Sequence, residues 1–488
     1  MVFSNLLFVF VFLTLNLIVY SLARSIKVKN AVMIAFSICF YCWGDPKYLI
    51  LLFGMVFSNW VFSLFIEKAK SRKLAKFWLV CACVVSLGLL CVFKYTNFLV
   101  ANISAIFNLP DFVTNIALPI GISFYTFQVL SYVIDVYKGE VEAQHSFWHL
   151  FLYVSLFHQC IAGPIVRYSD VSREITNRHV TSREFSRGVT RFVIGLSKKA
   201  LLANVCAKIA DTVLLSDVVA SNSSLLAENI EMLSSKSASM LWLGVLMYML
   251  QIYLDFSAYS DMAIGMGLMI GFHYKENFNY PYVAHSVTEF WRRWHISLSS
   301  FFRDYVYIPL GGNRKGLARK LLNMLVVWFL TGLWHGANWN FVLWGLYFFI
   351  FLVIENIGLK KVFDKVRVLG HIYLLIVVLF SWIIFRFTDL TLMWTVVKGM
   401  FCANGNPMFD FEATTMWFNN IFFITVAIIA CTPLAKTIGT FLTAKSEKSK
   451  TIAISYGTVE VLIPLALLLL STMALVGDSY NPFIYFRF

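Results

Sequence analysis

The chain has 488 residues, of which 59% are hydrophobic and only 14% are charged. A soluble domain carries roughly 25% charged residues, so this composition excludes an ordinary soluble protein and predicts a polytopic membrane protein. The formal net charge of +14 fits basic loops that face anionic lipid. We expect no nucleic-acid binding, because no basic domain lies outside the apolar runs, and we expect a single membrane domain over residues 1–488.

Apolar runs long enough to cross a bilayer recur along the whole chain. They occupy residues 3–22, 49–66, 75–93, 238–254, 336–356, 369–386, 417–435 and 452–475. Shorter or interrupted runs occupy residues 31–43, 114–133, 147–162, 186–215, 256–272 and 318–332. The first run has no basic segment before it and no small-residue cleavage site, so it indicates a transmembrane helix and not a signal peptide. We therefore predict an all-α protein with about 10–12 transmembrane helices plus several re-entrant or interfacial helices.

Basic clusters recur between the apolar runs and predict the orientation of the chain. The clusters are Arg24–Lys29, Lys68–Lys76, Arg314–Lys320, Lys360–Arg367 and Lys445–Lys450. Their spacing lets one side of the membrane hold them all, and that side is expected to be cytoplasmic. The N-terminus and the C-terminus are then both predicted to lie outside.

Two apolar segments are interrupted by residues that break helices. IALPIGISFYTFQVLSYVIDVY contains Pro119, Gly121 and Asp135, and FHQCIAGPIVRY contains Gly163 and Pro164. Irregular backbone at membrane depth is tolerated only where protein or a water-filled cavity satisfies its polar groups. Together these segments predict a cavity or tunnel inside the helical bundle.

The segment QIYLDFSAYSDMAIGMGLMIGF places charges inside an apolar helix. Tyr259 follows Asp255 by one helical turn, so the two side chains share a face, and Asp261 lies close by. Charges within a span are costly and usually face a cavity or a partner. A structural hydrogen bond or an ion pair with an arginine remains the favoured interpretation for each aspartate, and we expect all three residues to support the cavity.

The stretch EFWRRWHISLSSFFRDYVYIPLGGNRKG, residues 289–316, combines aromatic and basic residues. As a helix it would pair Glu289 with Arg293 and place His295 against Ser299. The pattern is typical of an amphipathic helix at the membrane interface. Arg292 and Arg293 are expected to reach lipid head groups or an anionic ligand.

The stretch TGLWHGANWNFVLWG places His335 between two strongly apolar runs. Histidine is the side chain best suited to proton transfer near neutral pH, although a histidine at membrane depth also serves as a hydrogen-bonded structural residue. Both interpretations remain open from the residue alone. We expect no metal site, because His295 is 40 residues away from His335 and H-E-x-x-H does not occur. No G-x-S-x-G elbow predicts serine chemistry.

Four stretches resemble the membrane-bound O-acyltransferase family. They are FHQCIAGPIVRY, LDFSAYSDMAIGMGLMIGF, NFNYPYVAHSVTEFWRRWHISLSSFFRDYVYIPLGGNR and TGLWHGANWNFVLWG. The chain is most similar to the bacterial branch that O-acetylates alginate, peptidoglycan and cellulose. The opening MVFSNLLFVFVF and the ending YNPFIYFRF resemble that branch as well, so the likeness runs from end to end.

This resemblance implies a ring of tilted helices around a tunnel, with His335 as the residue of acyl transfer and His295 as a second polar residue beside it. The substrate contacts expected with them are Arg292, Arg293, Trp334 and Asn338. The resemblance also implies a cytosolic thioester donor, acetyl-CoA, with no bound cofactor and no metal. The expected location is the bacterial cytoplasmic (inner) membrane, in contact with lipid.

The resemblance further implies a separate extracytoplasmic partner of the SGNH esterase or transferase type, and a polysaccharide acceptor. One rival reading is D-alanyl transfer to teichoic acid from a carrier protein, whose enzymes share similar WRRWH and WHG motifs. The length of 488 residues and the YNPFIYFRF ending favour acetyl transfer. A second rival, a non-catalytic transporter or polysaccharide-export channel, predicts an internal inverted repeat, which the sequence does not show.

Overall fold

The computed structural model describes residues 2–110, 114, 116–161, 163–478 and 480–482, and these residues form helices joined by loops. Ala162 and the last six residues of the YNPFIYFRF ending lie outside the described residues, as does the predicted position of the C-terminus. The helices of the first half are α1 (Thr14–Leu22), α2 (Ile26–Cys42), α3 (Tyr48–Glu67), α4 (Arg72–Phe107), α5 (Ile122–Lys138), α6 (Phe147–Ser155), α7 (Phe157–Cys160), α8 (Tyr168–Thr176), α9 (Ser182–Ser197), α10 (Asn204–Leu214), α11 (Asp217–Ala220), α12 (Leu226–Ser234) and α13 (Ala238–Ile270).

The second half continues in the same way. Its helices are α14 (Val287–Arg293), α15 (Ile296–Phe302), α16 (Gly316–His335), α17 (Trp339–Ile354), α18 (Lys360–Lys365), α19 (Arg367–Arg386), α20 (Leu390–Met400), α21 (Phe411–Ala430), α22 (Leu434–Ser446) and α23 (Lys450–Gly477). Segments of π-helix extend or join several of them, at Phe8–Leu13, Lys198–Ala203, Arg303–Tyr307 and Glu355–Leu359.

Within the described residues, 8 helices are long and apolar enough to cross a membrane, which confirms an all-α polytopic membrane protein. They are Tyr48–Glu67, Arg72–Phe107, Ala238–Ile270, Gly316–His335, Trp339–Leu359, Arg367–Arg386, Phe411–Ala430 and Thr451–Gly477. This number is below the predicted 10–12, because the runs 238–254 and 256–272 form one helix of 33 residues and the run at 3–22 forms a shorter apolar helix, Phe8–Leu22. The run 318–332, predicted to be shorter or interrupted, lies in the helix Gly316–His335, which is long and apolar enough to cross a membrane.

Helix α13 lies at the centre of the bundle. Of its most apolar window, 89% is buried inside the protein, which explains why the helix is apolar on all sides. Glycines let α9 approach it closely: a Cβ atom at Gly188 would lie 2.7 Å from the carbonyl oxygen of Gly265, and one at Gly195 would lie 2.7 Å from that of Ala258. Small residues at such crossings are a common means of packing helices in membranes.

Side-chain hydrogen bonds show which helix ends lie on the same side of the bundle. Arg178 donates to the Asn30 amide oxygen at 2.7 Å and to the Ile270 carbonyl at 3.2 Å, and so joins the start of α2 to the end of α13. Arg72, at the start of α4, donates to the carbonyl of Tyr137 near the end of α5.

Helix α8 links these two places: Ile175 near its end accepts from Asn30, and Tyr168 at its start accepts from Gln144. Ala143, next to Gln144, donates to Glu67 at the end of α3. The clusters Arg24–Lys29 and Lys68–Lys76 therefore lie at the same end of the bundle, which we call the basic end.

Helices α16 and α17 start from and return to the basic end. Lys320 near the start of α16 bonds to Asn356 beyond the end of α17, and His285, in the segment that follows α13, lies 3.4 Å from Asp364 in the cluster Lys360–Arg367. With a rise of 1.5 Å per residue, the 20 residues of α16 extend roughly 30 Å from this end. The α16–α17 turn, which contains His335, therefore lies deep in the opposite half of the bundle.

Candidate functional site

The α16–α17 hairpin is packed so closely that its glycines cannot be replaced without movement. A Cβ atom at Gly332 would lie 2.4 Å from the carbonyl oxygen of Phe341, and one at Gly345 would lie 2.3 Å from that of Trp328. At Gly336 in the turn, a Cβ atom would lie 2.1 Å from the Phe341 ring. Close backbone approach of this kind fixes the position of the turn.

His335 is the last residue of α16 and is 7% exposed. Aromatic rings surround its imidazole: the ring centroids of Trp344, Trp334 and Phe385 lie 4.8, 5.0 and 5.3 Å from its own. Its Nε2 atom is buried and has no hydrogen-bond partner among the described residues. A buried polar atom without a partner is costly, and His335 also lines a cavity.

A cavity of about 130 Å³ lies beside this histidine. Its lining residues come from α4, from the loop before α5 and the first turn of α5, from the segment after α7 and from the end of α16. They are Lys94, Leu118, Pro119, Ile120, Gly121, Ile122, Ser123, Phe124, Ile161, Trp334 and His335. The predicted cavity is therefore present, and the broken segment IALPIGISF forms one of its walls. A volume of this size holds a short acyl group and is well below that of a pocket for a complete drug-sized ligand.

The end of α16 is capped by side chains of α4. Lys94 donates from Nζ to the carbonyl oxygen of Trp334, with longer contacts to the carbonyl of His335 at 3.4 Å and to Ser123 Oγ at 3.3 Å. The hydroxyl of Tyr95 donates to the carbonyl of Leu333 at 2.6 Å. The last carbonyls of a helix lack partners within the helix, and α4 supplies them here.

His295 is fully buried and shares an aromatic neighbour with His335. The centroid of the Trp334 ring lies 5.8 Å from that of His295. His295 Nδ1 lies 3.2 Å from the amide oxygen of Asn277, which also accepts from Ser297 Oγ at 2.8 Å. With that oxygen as the acceptor, Nδ1 carries the proton and Nε2 has the lone pair, which is the tautomer of a base that acts through Nε2.

The segment that contains His295 is not the single amphipathic helix that the aromatic and basic pattern predicted, because it forms two short helices on either side of His295. Helix α14 ends at Arg293, and His295 adopts a left-handed conformation with φ +42° before α15 begins. The expected pairing of His295 with Ser299 is a backbone contact at 3.0 Å. Asn277 Nδ2 reaches Ser260, which lies ten residues before the end of α13, so the segment enters the bundle by roughly 15 Å.

The predicted substrate contacts are distributed over different places. Trp334 lines the cavity. Arg293 pairs with Glu289 at 2.7 Å, as the spacing predicted, and Arg292 is exposed; both lie on α14, away from the cavity lining. Asn338 is the N-cap of α17, where its side chain accepts from the backbone of Asn340 at 3.5 Å.

The two aspartates of α13 form ion pairs with α9 and with the π-helical segment that follows it. Asp255 lies 2.8 Å from Lys199, with side chains that are 1% and 3% exposed. Asp261 lies 2.6 Å from both Arg191 and Lys198. These contacts agree with a structural role for both carboxylates.

Tyr259 packs its ring on that of Phe3, with centroids 4.3 Å apart. It therefore joins the N-terminal segment to α13. No group of three or more potential metal ligands occurs among the residues that the structure describes.

Sequence reasoning missed two residues of this site. Lys94 ends an apolar run, and a lysine within a span was a signal that we did not follow. Asn277 had no sequence signal, since its contact with His295 depends on how the loop after α13 folds.

The helices define a polytopic membrane protein, and its cavity is lined by a buried histidine at the turn of a helical hairpin. The model of MBOAT, the membrane-bound O-acyltransferase family, matches residues 140–397. The chain is 37% identical to a probable alginate O-acetylase of Azotobacter vinelandii over 100% of both chains. It is 40% identical to a probable alginate O-acetylase of Pseudomonas aeruginosa, over 82% of this chain and 75% of that relative.

A third relative is a peptidoglycan O-acetyltransferase of Helicobacter pylori, with 32% identity over 83% of this chain and 80% of the relative. The chain therefore belongs to the membrane-bound O-acyltransferase family, and it is a membrane-bound acyltransferase.

Proposed function

We propose that this enzyme transfers acetyl groups from a cytosolic thioester, acetyl-CoA, for O-acetylation of an exported or cell-envelope polysaccharide. The observation that carries the proposal is the buried, unpartnered Nε2 of His335 beside a cavity of about 130 Å³. The similarity to probable alginate O-acetylases over the full chain supports the acetyl group and a polysaccharide acceptor. The similarity to a peptidoglycan O-acetyltransferase supports an acceptor in the cell envelope.

The basic end of the bundle supports a cytosolic donor. Basic loops face the cytoplasm in most membrane proteins, and the positive field that they produce attracts an anionic thioester. Arg292 is exposed near this end and contributes to that field. The acceptor then arrives from the other side, where the loop before α5 borders the cavity.

His335 acts as the general base in this proposal. Its Nε2 takes the proton of the acceptor hydroxyl while the hydroxyl oxygen attacks the thioester carbonyl. The carbon–sulfur bond then breaks, and the proton passes from the imidazole to the departing thiolate. Trp334 and Phe385 exclude water from the imidazole, which limits hydrolysis of the thioester. His295 contacts Trp334 and supports its position.

The immediate acceptor is either a serine of an extracytoplasmic SGNH-type partner or a sugar hydroxyl. No serine elbow of the G-x-S-x-G type occurs in this sequence, and a partner of that type would supply the serine chemistry. In both cases the hydroxyl is deprotonated by His335.

The test compares wild type with His335→Ala in cells that lack the native gene, at matched protein levels. Mild base releases ester-bound acetate and D-alanine from the envelope polysaccharide, and both are measured. We expect acetate from wild type and a decrease of about 10²–10⁴-fold in the variant, the range attributed to a general base. His371→Gln is the matched control, because His371 bonds to a backbone carbonyl at 2.9 Å in a different part of the bundle.

Release of D-alanine in place of acetate would replace this function with D-alanyl transfer to teichoic acid. Equal acetate from wild type and His335→Ala would make His335 a structural residue. Loss of acetate in the His371→Gln control as well would show that the assay responds to any histidine replacement.

A further inference from the structure

Lys94 is a buried cation at the wall of the cavity. Its side chain comes from α4, and the residue is 9% exposed. Its Nζ atom contacts the carbonyl oxygens of Trp334 and His335 and the hydroxyl of Ser123, and all four residues line the cavity. Lys94 lies outside residues 140–397, which the family model matches.

The positive charge of Lys94 is not balanced by a carboxylate. Its hydrogen-bond partners are neutral oxygens, and none of the ion pairs among the described residues involves it. Two of the three other lysines and arginines that are buried among the described residues are paired with carboxylates: Lys199 has Asp255 at 2.8 Å, and Arg386 has Asp211 at 2.8 Å. The third, Arg178, is held by neutral oxygens, as Lys94 is, but it does not line the cavity. Because a buried charge is costly unless it is paired, an ammonium at the wall of this cavity would be stabilised by a negative charge that forms beside it during a reaction.

Capping of α16 does not by itself require a charge. A neutral hydroxyl performs the same task one residue away, where Tyr95 donates to the carbonyl of Leu333. A neutral donor at position 94 would satisfy the Trp334 carbonyl at a lower desolvation cost. An ionisable residue within a span is more often tied to a functional site.

We propose that Lys94 is a further catalytic residue, whose ammonium stabilises the oxyanion that forms on the acyl carbonyl when the acceptor hydroxyl attacks. The inference rests on the proposed acyl transfer by His335. Two residues then act on the reacting carbonyl group: His335 accepts the proton of the attacking hydroxyl, and Lys94 donates a hydrogen bond to the carbonyl oxygen.

The step balances without another reactant. The hydroxyl oxygen forms a bond to the carbonyl carbon, its proton moves to His335 Nε2, and the π pair of the carbonyl moves to its oxygen. The ammonium of Lys94 donates a hydrogen bond to that oxygen and keeps its own proton. When the carbon–sulfur bond breaks, the electron pair returns to the carbonyl, and the proton moves from His335 to the thiolate. Donors fixed in a dry site are effective because they need no reorganisation during the reaction.

The experiment measures acyl transfer by purified protein in lipid vesicles, with the donor thioester varied. We expect Lys94→Met, which keeps the length and removes the charge, to lower kcat by about 10²–10³-fold, the loss seen when an oxyanion donor is removed. The KM for the donor should stay within about threefold of the wild-type value, because the ammonium stabilises the oxyanion of the transition state more than it stabilises the bound donor. Lys94→Arg should recover at least about tenfold over Lys94→Met, since it restores a cationic donor.

Tyr95→Phe is the matched control, because it removes a cap from the same helix end without removing a charge. We expect its kcat to decrease by no more than about threefold. An equal decrease in Tyr95→Phe and Lys94→Met would reduce Lys94 to a helix cap. A large rise in KM with unchanged kcat in Lys94→Met would make it a donor-binding residue, and either result would overturn the proposal.

A test on wild type does not depend on the folding of a variant. A methyl-ketone analogue of the donor keeps the carbonyl, and a thioether analogue lacks it. We expect the ketone to inhibit at least about tenfold more strongly, and equal inhibition would contradict a donor at the carbonyl oxygen. If wild type transfers no acetyl group, the proposed function fails. If wild type is active and Lys94→Met is equally active, only the role of Lys94 fails.

Discussion

Replacement of Gly345 by alanine should disturb the turn that holds His335. The new Cβ atom would lie 2.3 Å from the carbonyl oxygen of Trp328, whereas ordinary contact begins at 3.4 Å. The difference, 3.4 − 2.3 = 1.1 Å, is the separation that α16 and α17 must gain. The three nearest atoms, from Trp328 and Gly332, are all backbone atoms, so no side-chain rotation relieves the contact.

The expected loss follows from that distance. Overpacking of a well-packed interior costs about 1–3 kcal/mol, and a displacement of about 1 Å in a catalytic group costs about 10²-fold in rate. We therefore expect Gly345→Ala to fold in reduced yield and to transfer acetyl groups about 10²-fold more slowly per folded molecule. The yield of folded protein is measured by size-exclusion chromatography in detergent, and the rate is measured in vesicles.

Gly88→Ala is the matched control, because Gly88 also lies in a spanning helix and has no heavy atom within 4 Å of its Cβ position. It should leave yield and rate unchanged, since alanine is the better helix former. If Gly345→Ala transfers acetyl groups within about threefold of Gly88→Ala, the position of His335 does not depend on the close packing of this hairpin.

Two further predictions concern the bundle and its basic end. Asp255→Asn leaves the buried charge of Lys199 without its carboxylate, and we expect the free energy of unfolding to fall by about 3–5 kcal/mol. The control is Asp478→Asn, which removes the exposed ion pair with Lys208. An equal change in the two variants would contradict the prediction. Burial disfavours the charged form of His273, but its hydrogen bond to Glu174 at 2.7 Å outweighs that effect and raises the pKa of His273 above its usual 6.5. A group whose pKa is raised in the folded state stabilises the protein fully below pH 6.5, and this stabilisation is lost as the pH rises through the folded-state pKa. The melting temperature of wild type should therefore exceed that of His273→Gln at about pH 5.5 and equal it at about pH 8.5. A difference in melting temperature that does not change with pH would exclude a titrating pair.

The sequence predicted the parts of the fold that depend on local pattern. Apolar runs of sufficient length gave most of the spans, and the spacing of Glu289 and Arg293 gave their ion pair at 2.7 Å. The runs 238–254 and 256–272 were treated as separate because Asp255 and Asp261 interrupt an apolar run, but they do not interrupt the helix. Their partners on α9 and on the π-helical segment after it compensate the charges, and a sequence window cannot detect such partners.

The site was predicted only in part because it is assembled from distant segments. His335 and Trp334 stand out within one short motif, but Lys94 meets them from 241 and 240 residues away. The left-handed backbone of His295 is unfavourable for a residue with a side chain, and the contacts with Asn277 hold it in place. Neither feature follows from propensity or periodicity.

The central claim is that His335 transfers the proton in an acetyl transfer. The most direct test uses purified wild type and His335→Ala in vesicles, with a thioester that carries a labelled acetyl group and a soluble polysaccharide as acceptor, together with an SGNH-type partner where one is required. Labelled ester should form with wild type, and it should decrease by about 10²–10⁴-fold in the variant at equal amounts of folded protein. Ester formation at the wild-type rate by His335→Ala would contradict the account.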